Sequence, residues 1–171
     1  MLRFCGGRGP CLGFTLIEGM VTVAILAIIA SLAAPSFDAV LARFQLQTGA
    51  DAVMSGLQLA RSEALRRNSP VRFTLTAGST SWTVATVSPA ATVQSYKGSG
   101  APQLSVTTND GRTAVTFLAT GLVDTSAARL QQVDLATSVS GVGSSRVMVF
   151  GGGQIRICDP SLTATGDPKK C

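Results

Sequence analysis

Between Leu16 and Ala34 the chain is almost continuously apolar, and Glu18 is the only charged residue in that stretch. From Phe14 to Phe37 a helix would reach about 36 Å at about 1.5 Å per residue, enough to cross a hydrocarbon core of about 30 Å. The preceding segment, Met1 to Gly13, carries Arg3 and Arg8 and no acid. A secretory signal is cut after its apolar region and lost with it. Here the small-residue junction, Gly13, stands before the apolar region, so cleavage there would keep the apolar helix in the mature protein. The basic side stays cytoplasmic and the remainder crosses the membrane. This predicts a leader over 1–13, a transmembrane or filament-core helix over 14–37 and an exported head over 38–171, in a single-pass inner-membrane protein.

Glu18 conflicts with that environment. A carboxylate one turn into a bilayer costs about 2.5 to 3.5 kcal/mol on insertion scales. Either it sits in the cytoplasmic headgroup zone, or it meets a cation, and the amine freed at Phe14 of a neighbouring subunit is the right kind of group. The run Gly13-Phe14-Thr15-Leu16-Ile17-Glu18 resembles the prepilin processing motif of type IV pilins and type II secretion pseudopilins. The resemblance implies cleavage between Gly13 and Phe14 by a prepilin peptidase, N-methylation of Phe14, and use of Phe14 and Glu18 in assembly. It also implies an inner-membrane assembly platform and other major and minor pilins or pseudopilins as partners. Pro35 matches the position where such helices carry a proline, which removes a backbone donor and kinks or loosens the helix.

Beyond Pro35 the helical period continues. Leu46, Ala50, Val53, Leu57, Ala60 and Ala64 recur at three- and four-residue spacing, while Arg43, Gln47, Asp51, Gln58 and Arg61 fall largely off that stripe. An amphipathic helix is predicted over 38–68, ended by Asn68-Ser69-Pro70 with Arg66 and Arg67 in its last turn. From 70 to 171 the chain reads as β. Short runs at 71–76, 82–87, 104–107, 114–118, 130–136, 146–150 and 154–158 are separated by Gly, Pro and Ser-rich segments. Asn109-Asp110-Gly111 signals a tight turn, and 88–102 reads as a small-residue loop. The expected fold is α+β and pilin-like, a long N-terminal helix packed on an antiparallel β-sheet head. Trp82 alternates with its neighbours as a core or sheet-face residue does, rather than a binding platform.

The segment Leu57 to Asn68, followed by Pro70-Val71, resembles the helix-to-first-strand signature of the GspH/FimT family. Val115-Thr116-Phe117 with Gly121, and Arg146-Val147-Met148-Val149 with Gly152-Gly153, resemble two later Gly-punctuated strands of that family. This resemblance implies a low-copy subunit that joins or primes a type IV pilus, or a type II secretion pseudopilin.

With no histidine and no cysteine cluster at zinc-ligand spacing, metal hydrolysis and His-based catalysis lack their usual parts, so neither enzyme activity nor a metal or cofactor is expected. Cys5 and Cys11 lie in the leader, which leaves Cys158 and Cys171. In an oxidising compartment these form a disulfide, against free thiols or intermolecular pairing through Cys171. The net charge of +5 includes Arg3 and Arg8 and is weak evidence for a polyanion partner. In the GspH/FimT family that this chain resembles, some FimT-like minor pilins are associated with DNA uptake, and the resemblance to them rests on a C-terminal Gly-Arg-x-Arg pattern. Here Gly153-Gln154-Ile155-Arg156 retains only the second arginine, so a DNA-binding patch would have to draw on Arg146, Arg156, Lys169 and Lys170.

Overall fold

A computed structural model describes residues 14–98, 104–164 and 166–171, apart from the side chains of 32–36. The leader and Gly13 lie outside the described residues. The chain divides into two compact units between Phe37 and Asp38, and a single helix, α1 (Leu16–Arg67), contributes to both.

In the first unit the helix begins at a cap. The Glu18 amide donates to Thr15 Oγ1 at 3.3 Å, satisfying one of the backbone N–H groups that an α-helix leaves unpaired at its start. Thr22 and Ser31 turn their hydroxyls back onto the carbonyls of Gly19 and Ile28 at 2.9 and 2.8 Å, so neither polar side chain needs water. Leu16, Ile17, Met20, Val23, Leu26, Ile28 and Ile29 are all exposed. Among the described residues no helix is long and apolar enough to cross a membrane; the apolar run of the sequence continues into 32–36, whose side chains are not described. Position 35 falls within α1, and the side chain of Pro35 is among these.

In the second unit α1 supplies one wall of the core. Ala42, Leu46, Ala50, Val53, Leu57, Ala60 and Ala64 are buried, the stripe anticipated from spacing with one more turn added at Ala42. The helix ends in a Schellman motif. Asn68 adopts φ 49°, its N–H bonds Leu65 O at 3.3 Å, and the Ser69 N–H bonds Ala64 O at 3.2 Å. The stop is therefore a left-handed cap that pairs the last carbonyls, with Pro70 preventing resumption.

Among the described residues eight strands follow, β1 (Val71–Leu75), β2 (Trp82–Thr86), β3 (Ala91–Tyr96), β4 (Leu104–Thr108), β5 (Ala114–Phe117), β6 (Gln132–Thr137), β7 (Ser145–Val149) and β8 (Ile155–Cys158). They form two antiparallel four-stranded sheets, ordered β3-β2-β1-β5 and β4-β6-β7-β8. Both sheets turn alternate residues inward. Val71, Phe73 and Leu75 of β1, Val133 and Leu135 of β6 and Val147 and Val149 of β7 join the helix stripe in one core.

One element differs from the sequence reading. The loop expected over 88–102 contains β3, an edge strand whose residues are exposed or half-buried. It lacks the apolar alternation that marks a strand, because only Val93 and Tyr96 pack on the core. The turn expected at Asn109–Gly111 is tight, with Asp110 at φ 52° and Gly111 at φ 70°, and it carries the chain from one sheet to the other. Asn109 secures this crossing, its Oδ1 accepting from the Gln131 and Gln132 amides at 2.8 and 3.1 Å.

Trp82 is buried. Its indole N–H donates to Ala52 O of α1 at 2.8 Å, and its ring stacks on Tyr96 with centroids 5.7 Å apart. Gly56 makes the approach possible, since a Cβ there would stand 2.6 Å from the indole.

Candidate functional site

Phe14 precedes α1 by two residues and Glu18 lies in its first turn. Phe14 is 75% exposed and Glu18 is also exposed. Among the described residues Glu18 has no ion-pair partner, because the three salt bridges lie in the head. The cap holds Glu18 in the first turn, where a carboxylate also complements the positive end of the helix dipole. The capping role of Thr15 was missed, although Thr15-x-x-Glu18 has the Ser/Thr-x-x-Glu form of a helix start.

At the other end of the sequence Cys158 and Cys171 are bonded, with Cα atoms 5.0 Å apart. Cys158 ends β8, so the bond returns the tail to the sheet, where Asp159 bridges Lys170. The Arg156 guanidinium donates to Pro168 O and Lys170 O, both at 3.0 Å, and Lys170 Nζ donates to Thr163 O at 3.1 Å. Arg146 pairs with Asp134 on the neighbouring strand. Of the four residues considered for DNA contact, three therefore use their cationic groups within the head. Lys169 alone has no side-chain partner among the described residues, and it lines an open cleft of about 590 Å³ with Arg43, Asp51 and Asp159. No group of His, Cys, Asp and Glu among the described residues could hold a metal ion.

The helix-to-strand signature forms a junction whose geometry was not readable from its letters. Arg61 Nε donates to Gly121 O at 3.2 Å. Gly121 and Gly153 are both left-handed, at φ 76° and 78°, and a Cβ on Gly153 would stand 2.1 Å from that carbonyl oxygen. The Val123 amide bonds Gly151 O at 3.0 Å, so the two glycine turns close on each other under the arginine. Two residues further along the helix, Glu63 takes bonds from Arg66 at 2.7 Å and Arg67 at 2.6 Å. The hydrogen bonds from Arg66 and Arg67 hold its carboxyl down at about 2.

A long N-terminal helix with an exposed apolar end, its second half packed into a two-sheet antiparallel head, defines a pilin-type subunit. The family described as Type II transport protein GspH matches residues 49–159, and the prokaryotic N-terminal methylation motif matches residues 9–34. The chain belongs to the GspH family. Its fold is similar to that of the type IV minor pilin FimU of Pseudomonas aeruginosa, with 20% identity and a TM-score of 0.56 over 70% of this chain and 95% of that one. It is similar also to the minor pseudopilin EpsH of the Vibrio cholerae type 2 secretion system, with 14% identity and a TM-score of 0.51 over 69% and 99%. No curated protein matches the sequence.

Proposed function

We propose that this chain is a minor type IV pilin, anchored in the inner membrane by the N-terminal half of α1 with its head in the periplasm, and assembled into or priming a pilus. A prepilin peptidase cuts between Gly13 and Phe14, and Phe14 is N-methylated. The apolar helices then bundle, with Glu18 compensating the amine of a neighbour's Phe14. The observation that carries this reading is an exposed, apolar, capped helix start that presents one carboxylate without a counter-ion among the described residues. Neither isolated water nor lipid suits that combination, whereas a bundle of similar helices provides both apolar cover and an amine.

Intact mass of membrane-extracted protein tests processing; the expected mass is that of Phe14 to Cys171 plus one methyl group. Retention of Met1 to Gly13 in cells with active peptidase would overturn it. Glu18→Ala tests assembly, since it leaves membrane insertion intact and lowers the amount in sheared filaments; normal incorporation would refute the charge pair. Deleting the gene and scoring surface pili against secreted enzymes separates this role from that of a type II secretion pseudopilin.

A further inference from the structure

Next to the arginine and two-glycine junction the head has an open pocket of about 360 Å³, lined by Gln58, Arg61, Ser62, Leu65, Gln154 and Ile155. Arg61 is half-buried. Its Nε is committed to Gly121 O, which fixes the plane of the guanidinium, while its two terminal amino groups have no partner among the described residues. The other arginines nearby differ in this respect. Arg66 and Arg67 are answered by Glu63, and Arg156 by two tail carbonyls. Arg61 is a cation held rigid in a pocket wall without a counter-ion among the described residues.

We propose that this pocket receives the carboxylate of an acidic side chain from a neighbouring filament subunit, an inference that rests on the filament-subunit reading above. A guanidinium with its Nε edge already used still offers a planar pair of donors, which suits the two oxygens of a carboxylate. The amides of Gln58 and Gln154 add donors at the rim. Leu65, 50% exposed, and Ile155 give an apolar shelf for the methylenes of a Glu or Asp side chain. Leu122, exposed at 47%, follows Gly121, where an added Cβ would stand 3.2 Å from the Leu65 side chain. An apolar rim around a fixed charge is better covered by a protein surface than by a free anion. Partial burial also strengthens the pair relative to one on open surface.

The test uses the full-length chain in its own host. Gln154→Glu supplies a carboxylate from the pocket wall itself and leaves the Arg61 Nε contact untouched, whereas Arg61→Gln removes the charge and loosens the Gly121 turn as well. Gln154→Glu should lower the amount recovered in sheared filaments about tenfold or more, with processed length and membrane level unchanged. A photoreactive residue at position 58 should crosslink to another filament subunit at a peptide containing Asp or Glu, and neutralising that acid should reduce the crosslink by a similar factor. Wild-type incorporation of Gln154→Glu, or a crosslinked peptide with no acid, overturns the inference alone. Absence of the unaltered chain from filaments overturns the filament reading together with it.

Discussion

Gly153→Ala and Gly78→Ala form a matched pair that isolates the contact between the two glycine turns. Both glycines are left-handed, at φ 78° and 70°, so each alanine carries a similar backbone penalty of about 1 to 2 kcal/mol. This is partly offset by about 0.4 to 1 kcal/mol because alanine restricts the unfolded chain. Nothing lies within 4 Å of a Cβ at Gly78, whereas at Gly153 the Cβ would stand 2.1 Å from Gly121 O. That oxygen is backbone and accepts from Arg61, so relieving the overlap means moving the 118–123 turn and giving up a charge-assisted hydrogen bond of about 1.5 to 3 kcal/mol. Gly78→Ala should therefore cost about 1 kcal/mol and Gly153→Ala about 2.5 to 4 kcal/mol. Urea unfolding of a soluble head beginning at Val40, followed by far-ultraviolet circular dichroism, measures both. If the two losses agree within about 0.5 kcal/mol, the close approach has no energetic consequence and the account of this junction is wrong.

Glu63 is depressed from 4.5 to about 2, so its contribution is fully present above about pH 4.5 and is lost as the pH falls through about 2. The stability difference between the head and its Glu63→Gln variant should shrink across that window, and a difference that is flat from pH 6 to 2 would contradict the arginine pairing. Reducing the bond between Cys158 and Cys171 should lower stability by about 3 kcal/mol in the chain-entropy model, and two freely alkylated thiols in periplasmic material would remove the premise. Because Arg146 pairs with Asp134 and Arg156 with tail carbonyls, the head should bind duplex DNA no better than a salt-sensitive background of about 10⁻⁴ M. Micromolar binding abolished by Arg156→Ala would reverse that reading.

What the sequence determined by itself is everything that depends on local order. The basic-to-apolar junction at Gly13, the acid at Glu18 and the three- and four-residue recurrence from Leu46 to Ala64 are short-range patterns, and chain geometry converts them directly into a helix with a defined buried face. Seven of the eight strands are likewise visible as alternating runs, since each turns one face to the core. β3 escaped because an edge strand that buries little needs no alternation; its place comes from pairing with β2, whose register it takes from Trp82 opposite Tyr96. The division into two sheets was equally unreadable, because Asn109-Asp110-Gly111 specifies a turn and says nothing about which partner the next strand will find. The same holds for the charged residues. Arg61, Arg146 and Arg156 are alike as letters, yet the first faces an open pocket, the second an aspartate one strand away and the third the carbonyls of a disulfide-tethered tail. Those assignments join residues 12 to 60 positions apart, and only tertiary packing brings such distant groups within hydrogen-bonding distance and decides which cations remain free to meet a partner.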